Sequence, residues 1–181
     1  MTGVQTCALP ISTANVTNGQ LAISVAGGLS HNVWTSGNDS ARVTHAVANQ
    51  DFFAEVKFDS IPGQRYQLQG MLIEQDADDF IRFDFYSDGT NLKIFAATFQ
   101  AGQPTTRVNT TIAAGGSLYM RVKREGDQWT QEYSYDGSNW QTAVTFAHTL
   151  TVASTSLFAG NAGTSAPAFT ALVDYYWTDA Q

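Results

Sequence analysis

The spacing of apolar residues constrains this chain most, because it follows the two-residue repeat of a β-strand almost throughout. No window keeps apolar residues at helical spacing for more than one turn, whereas alternation is typical of half-buried strands. The predicted strands cover residues 20–25, 41–47, 52–59, 66–74, 80–87, 91–98, 106–112, 117–125, 128–135, 140–148, 155–162 and 169–177. Turns such as Asp88-Gly89 and Gly126-Asp127 separate them and supply the positive φ that tight hairpins need. Short strands at this spacing predict an all-β sandwich or barrel.

Two hairpins allow the pairing of their strands to be predicted from the loop. With Gly126-Asp127 as the first loop, the facing pairs are Met120 with Tyr133, Val122 with Gln131, Leu118 with Tyr135, Arg121 with Glu132 and Lys123 with Thr130. With Asp88-Gly89 as the second loop, they are Phe83 with Ile94, Phe85 with Leu92, Asp84 with Lys93 and Arg82 with Phe95. Each hairpin then has one apolar face and one polar face with opposite charges across strands. A slip of one residue would exchange the two faces.

Composition limits the partners that such a sandwich can have. The 181 residues are 43% hydrophobic but only 14% charged, with a net charge of −7. This length is enough for one domain with a sizeable core. The acidic balance argues against nucleic acid as a partner, and no apolar run approaches the roughly 20 residues of a membrane helix. We expect a monomer that is not inserted in a membrane.

Residues 1–11 do not share this patterning. The segment MTGVQTCALPI has neither charge nor alternation, and it resembles the translated read-through of a sequencing-library adapter that contaminates metagenomic assemblies. We therefore expect a single domain over residues 12–181, without its original first strand and with any secretion signal upstream. The only cysteine, Cys7, falls in the excluded segment, so no disulfide and no thiolate metal site are expected in the domain.

Several segments carry a family resemblance. SLYMRVKREGDQWTQEYSYDGSNW (117–140), LFAG (157–160) and FTALVDYYW (169–177) resemble the concanavalin A-like lectin/glucanase modules, and YQLQGMLIEQDADDFIRFDFYSDG (66–89) fits their central hairpin. The nearest resemblance is to modules appended to bacterial glycosidases, including the C-terminal module of β-xylosidases, and to large bacterial surface proteins. It implies an antiparallel two-sheet jelly roll. These motifs are structural, so they specify the fold more closely than the ligand.

The polar face of the second hairpin is the candidate ligand-binding surface. Mixed amide, carboxylate and guanidinium groups can bind pairs of sugar hydroxyls, while a ring stacks on the apolar face of a pyranose. The candidate residues are Trp34, Gln67, Gln69, Arg82, Asp84, Tyr86, Lys93 and Phe95. Trp34 enters as a loop aromatic at the rim, and the two glutamines as a continuation on the preceding strand. The alternative, a solvent-facing sheet whose charges only pair with each other, has equal weight.

The other tryptophans and the acidic stretch have simpler interpretations. Trp129, Trp140 and Trp177 are assigned to packing. Glu74 with Asp78 or Asp79 is similar to the Glu-x-Asp-x-(x)-Glu strand of laminarinase-like glycosidases, whose two carboxyls lie about 5–5.5 Å apart. A solvated acidic turn is the favoured interpretation. Hard oxygen ligands for a structural Ca²⁺ could come from Asp76, Asp78, Asp79 or Asp174, but the spacing defines no ligand set. No metal site and no cofactor are predicted.

Together these observations favour a non-catalytic, lectin-like carbohydrate-binding module of a larger secreted bacterial protein. Its expected partners are an oligo- or polysaccharide and neighbouring domains of the parent, and its expected location is extracellular or on the cell surface. One alternative is a structural or adhesive spacer whose sheet face packs against another domain. Another is a glycoside hydrolase that uses Glu74 with Asp78 or Asp79.

Overall fold

The computed structural model describes residues 12–35 and 37–180, and all regular structure in these ranges is β-strand. The strands are β1 (Ser12–Thr17), β2 (Gln20–Val25), β3 (Val33–Trp34), β4 (Gly37–Asn38), β5 (Ala41–Ala46), β6 (Phe52–Phe58), β7 (Gln67–Glu74), β8 (Phe80–Ser87), β9 (Leu92–Gln100), β10 (Gln103–Ile112), β11 (Leu118–Glu125), β12 (Gln128–Ser134), β13 (Gln141–Ala147), β14 (Ser154–Asn161) and β15 (Phe169–Thr178). The predicted all-β class is confirmed. The interpretation of residues 1–11 and Cys7 lies outside the described residues. Within them, no helix is long and apolar enough to cross a membrane.

Two antiparallel sheets form the sandwich. A seven-stranded sheet has the order β1-β2-β15-β6-β11-β12-β13, and a six-stranded sheet has the order β10-β9-β8-β7-β14-β5. Neighbours such as β15 and β6 are far apart in sequence, so the chain crosses repeatedly between the sheets, as the predicted jelly roll requires.

The main core lies between these sheets. Phe58 and Trp129 of the seven-stranded sheet meet Phe85 and Phe83 of the six-stranded sheet, with ring centroids 6.4 and 6.5 Å apart. All four rings are fully buried. The alternation in the sequence places these residues on the inner faces.

A second, smaller cluster covers the outer face of the six-stranded sheet. It consists of Val33, Leu68, Leu72, Phe80, Phe95, Ala97, Phe99 and Phe158, with Trp34 and Tyr86 packed against it. Val33 and Trp34 belong to the β3–β4 hairpin, and we call residues 27–35 and 37–40 the flap. Because one sheet face meets the core and the other meets the flap, all of β7 and nearly all of β8 are buried.

The first predicted hairpin register is confirmed. In the β11–β12 pair, Met120 lies opposite Tyr133, Val122 opposite Gln131, Arg121 opposite Glu132 and Lys123 opposite Thr130.

The second predicted register, between β8 and β9, is wrong by two residues. Phe85 pairs with Ile94 and Asp84 with Phe95. The loop is longer than two residues because the Asp88 carboxylate accepts hydrogen bonds from the backbone N–H groups of Thr90 and Asn91 at 2.8 and 2.7 Å. A shift of two residues keeps every side chain on its predicted face.

Three strands, β1, β3 and β4, were not predicted. The β1–β2 hairpin turns at Asn18 and Gly19, whose φ angles of 50° and 80° fit the tight turn that favours Asn-Gly. β3 and β4 have two residues each, too short for any alternation to show.

Candidate functional site

A cleft of about 270 Å³ opens on the outer face of the six-stranded sheet, beside the flap. It lies where β7 begins and β8 ends. Its lining residues are Asn32, Trp34, Tyr66, Leu68, Arg82, Tyr86, Phe95 and Ala162. Four of them, Trp34, Arg82, Tyr86 and Phe95, are among the residues proposed from the sequence. The structure therefore brings a loop aromatic together with three side chains of the central hairpin.

The floor of the cleft contains a buried ion pair. Arg82 donates two hydrogen bonds of 2.8 Å to the Asp84 carboxylate, one from Nε and one from Nη2. The Asp84 side chain is fully buried and that of Arg82 is 6% exposed. Burial raises the pKa of Asp84, and the facing guanidinium opposes that shift. The Phe95 ring lies beneath the guanidinium at 4.9 Å. The pair leaves the floor polar but without net charge.

This burial overturns one expectation from the sequence. Arg82 and Asp84 do lie on the outer face, but the flap covers them instead of water. The carbonyl of Val33 accepts a 2.7 Å hydrogen bond from Arg82 Nη1, so the ion pair also anchors the flap. A hairpin as short as β3–β4 gives no periodic signal, and the sequence alone therefore suggests an open sheet.

Asn161, at the end of β14, fixes the start of the flap. Its side-chain oxygen accepts a hydrogen bond from the backbone N–H of His31 at 2.8 Å. Its amide nitrogen donates to the carbonyls of Ala26 and Pro167 at 2.8 and 2.7 Å. Asn161 is completely buried, so it holds the chain at Ala26 and His31, where the flap begins, to the end of β14.

Aromatic side chains form the walls. Trp34 is half-buried and packs edge-on against Phe95 and Phe99, with centroids 6.0 and 5.7 Å apart. Tyr86 is also half-buried and stands perpendicular to Phe95 at 5.8 Å. Its hydroxyl donates to Asn109 on β10 at 2.9 Å. Desolvation is the main reason that the pKa of Tyr86 is raised, so the phenol is neutral at physiological pH.

Tyr66 adds a wall that the sequence analysis missed. Its φ is 63°, in the left-handed region that bulky residues rarely adopt. Its backbone bridges β8 and the end of β14: the N–H donates to Ser87 at 2.6 Å and the carbonyl accepts from Ala162 at 3.1 Å. Strained backbone of this kind is often found at ligand sites. The position before β7 gave no sequence signal, because an aromatic residue predicts ordinary strand geometry there.

The remaining candidate residues lie elsewhere. Lys93 is beside Tyr86 in the register, but its ammonium donates to Thr111 at 2.8 Å, away from the cleft lining. Gln67 and Gln69 are on the opposite face of β7, because Leu68 and Gly70 are the residues that face Tyr86 and Asp84. The expected continuation of the polar face through the two glutamines is therefore wrong.

Both glutamines have structural contacts. The amide of Gln69 donates to the Ser60 carbonyl at 2.8 Å, and Gln67 donates to the carbonyl of Ala168 at 2.8 Å. The strand QLQGMLIE is buried on both faces, so alternation could not separate its two sides.

The other tryptophans differ from one another. Trp129 is fully buried, as expected for packing. Trp140 lies 3.5 Å from the Arg121 guanidinium. Trp177 is 53% exposed, so its assignment to packing is wrong.

The acidic stretch forms a tight turn. The Asp76 carboxylate accepts hydrogen bonds from the backbone N–H groups of Asp78 and Asp79 at 2.9 and 2.8 Å, and these bonds lower the pKa of Asp76. Glu74 instead contacts Ser156 at 2.6 Å and Arg42 at 3.5 Å. Glu74 therefore has a structural role, and Asp78 and Asp79 belong to a turn that the Asp76 carboxylate holds.

The four aspartates considered for calcium do not meet. Asp76, Asp78 and Asp79 lie in the turn between β7 and β8, whereas Asp174 on the seven-stranded sheet pairs with Lys57 at 2.7 Å. Among the residues that the structure describes, no three His, Cys, Asp or Glu side chains form a metal-binding group.

Comparison with known proteins gives one family and several solved structures of similar fold. Residues 10–164 match the family model described as the β-xylosidase C-terminal concanavalin A-like domain. No curated protein matches the chain.

Among solved structures, the chain is similar to the GH43 protein BlXynB of Bacillus licheniformis, with 17% identity, a TM-score of 0.72, and coverage of 91% of this chain and 34% of that one. It is also similar to a xylan β-1,4-xylosidase of Bacillus halodurans, with 14% identity, a TM-score of 0.70, and coverage of 94% of this chain and 35% of that one. A functionally unknown protein of Saccharomyces cerevisiae has 10% identity and a TM-score of 0.76, with coverage of 93% of this chain and 92% of that one. The chain thus spans about a third of the length of the glycosidases that it matches.

Proposed function

The chain belongs to the family of β-xylosidase C-terminal concanavalin A-like domains, and we propose that it is a non-catalytic module that binds a neutral sugar in the cleft beside the flap. The family is associated with carbohydrate-active enzymes. The observation that carries the proposal is the cleft itself, in which two half-exposed aromatic walls stand over a charge-neutral polar floor.

The walls and the floor offer complementary contacts to a sugar. Trp34 and Tyr86 present ring surface that can pack on the apolar face of a pyranose. Arg82 has five N–H groups, three of which donate to Asp84 and Val33. The other two N–H groups have no partner among the described residues, and these can donate to sugar hydroxyls. The Tyr86 oxygen can accept a hydrogen bond in turn.

Size and charge define the ligand further. The volume of about 270 Å³ is just below the roughly 300–1,000 Å³ typical of sites for drug-sized ligands. It suits one sugar ring at a chain end rather than an enclosed oligosaccharide. Because Asp84 neutralises Arg82, the floor does not favour an anionic uronate over a neutral pentose or hexose. The net charge of −7 further disfavours an acidic ligand.

Calorimetric titration of the full chain with neutral xylo-, gluco-, galacto- and arabino-oligosaccharides tests the proposal. At least one series should bind, and Tyr86→Ala should weaken it about tenfold, as expected for the loss of about 1.4 kcal/mol. The matched variant Tyr86→Phe keeps the ring and should lose much less. Binding that is unaffected by Tyr86→Ala would place the sugar elsewhere, and an empty panel would refute the proposal.

A second candidate is a spacer that packs against a neighbouring domain. It is supported by the finding that the chain corresponds to only about a third of the matched glycosidase chains, so this fold is one part of those larger proteins. A negative sugar panel combined with measurable affinity for an adjacent domain of the parent would favour it. In both cases we propose an extracellular or cell-surface location, in keeping with a surface that is poor in charge.

A further inference from the structure

The outer face of the seven-stranded sheet carries an exposed aromatic surface that is separate from the cleft. Trp177 and Tyr175 lie two residues apart on β15, so they share one face of the strand, and they are 53% and 37% exposed. In the register they lie opposite Glu55 and Lys57 of β6, and these pair in turn with Arg121 and Tyr119 of β11. Three adjacent strands therefore contribute to one surface, on the side of the sheet that faces away from the core.

The rings on this face are in contact with one another. We call Phe53, Tyr119, Trp140, Tyr175 and Trp177 the aromatic platform. Trp177 lies 5.6 Å from Phe53, and Tyr119 lies 6.4 Å from Trp140 and 6.5 Å from Tyr175. The Arg121 guanidinium stacks 3.5 Å from Trp140 and 5.3 Å from Phe53. These contacts fix the orientation of the rings before any ligand arrives.

The charges among the rings are paired. Glu55 accepts hydrogen bonds from Arg121 at 2.7 Å and from the Tyr175 hydroxyl. Lys57 donates to Asp174 at 2.7 Å. Asp59 lies 3.2 Å from the same ammonium, so three carboxylates accompany the two cations. Asp174 and Asp59 raise the pKa of Lys57, so the ammonium stays charged. The platform combines ring surface with fixed polar groups and has no excess of positive charge to attract an anionic polymer.

We propose that the aromatic platform binds a neutral polysaccharide chain laid across the sheet. A β-sheet face is open and broad, so it can accept several sugar rings side by side, which the smaller cleft cannot. Trp177 is 53% exposed, so its indole N–H can donate to a hydroxyl of a stacked sugar. Preoriented rings reduce the ordering cost of binding. The inference does not depend on the cleft.

Affinity electrophoresis of the full chain in gels containing xylan, mixed-linkage β-glucan or galactomannan tests this proposal. At least one neutral polymer should retard the protein. Trp177→Ala should weaken retention about tenfold, which corresponds to about 1.4 kcal/mol, and Trp177→Phe should keep most of it. Because Trp177 is half exposed, the unfolding midpoints of both variants should stay near that of the unchanged protein, which serves as the folding control.

Tyr86→Ala separates the platform from the cleft. If polymer binding survives Tyr86→Ala but not Trp177→Ala, the platform is a site in its own right. If only Tyr86→Ala abolishes retention, the platform proposal fails while the cleft proposal stands. Binding of polygalacturonate alone would overturn the inference of a neutral ligand. Sedimentation that shows self-association sensitive to Trp177→Ala, with no polymer bound, would identify a protein contact instead and also overturn it.

Discussion

Replacing Arg82 by methionine should destabilise the domain far more than an exposed arginine would. The side chain makes two 2.8 Å hydrogen bonds to a fully buried carboxylate and one of 2.7 Å to the flap. Methionine fills much of the same volume but leaves Asp84 without a partner. Breaking a buried pair by removing one member costs about 3–5 kcal/mol in free energy of unfolding at pH 7. We expect a loss within that range.

The loss should depend on pH. In the unchanged protein, burial already raises the pKa of Asp84 while Arg82 opposes the shift; without Arg82, the pKa rises further. A carboxyl whose folded pKa lies above its unfolded value binds more protons in the folded state. Its stabilising contribution is present below the unfolded pKa of about 3.9 and is lost as the pH rises through the folded pKa. The variant should therefore approach the unchanged protein in stability as the pH falls from 7 toward 4.

Urea unfolding at pH 7 and pH 5, followed by circular dichroism, measures both effects. The double variant Arg82→Met with Asp84→Asn removes the buried charge, so its loss should be smaller than the sum of the two single losses by more than about 1 kcal/mol. A loss below about 1 kcal/mol for Arg82→Met, with no difference between the two pH values, would show that the pair is hydrated and that the floor of the cleft is open to water.

Three further substitutions have clear expectations. Gly70→Ala should prevent folding or lower the free energy of unfolding by more than about 4 kcal/mol, because the added Cβ would lie 2.0 Å from the carbonyl oxygen of Phe83. Gly63→Ala, which places its Cβ in open space, serves as the control in thermal unfolding. Asn161→Ala should cost about 2–4 kcal/mol by leaving buried backbone groups unpaired, and faster amide hydrogen exchange in the flap would confirm its role; unchanged exchange would contradict it. Asp136→Ala should lower the melting temperature at pH 7 but less at pH 2. Hydrogen bonds within its turn depress the pKa of Asp136, so the stabilisation is lost as the pH falls through that lowered value. An equal effect at both pH values would contradict this.

Much of the fold could be predicted because the alternation of apolar and polar residues along each strand is visible in the local sequence. Alternation placed Met120 and Val122 of β11 on one face, and the turn at Gly126 set the register with β12 correctly. The same reasoning failed by two residues at Asp88, because a side chain that caps two backbone N–H groups lengthens the loop without changing its composition. The faces of β8 and β9 were therefore predicted correctly, although the pairing between the two strands was not.

The candidate site could be predicted only in part. Arg82, Tyr86 and Phe95 share a strand pair, so alternation was sufficient to place them on one face. The burial of Arg82 depends on the flap, whose position is set by the hydrogen bonds of Asn161 about 130 residues later in the chain. Tyr66 could not be found because its left-handed backbone is a consequence of tertiary contacts. Long-range contacts of this kind leave no local pattern.

The most direct test of sugar binding in the cleft is to follow backbone amide signals by two-dimensional NMR while the full chain is titrated with a short neutral oligosaccharide. Saturable shifts should concentrate at Asn32, Trp34, Tyr86, Phe95 and Ala162, which line the cleft. Shifts at the far side of the molecule with none at these residues, or no shifts at millimolar sugar, would contradict the account.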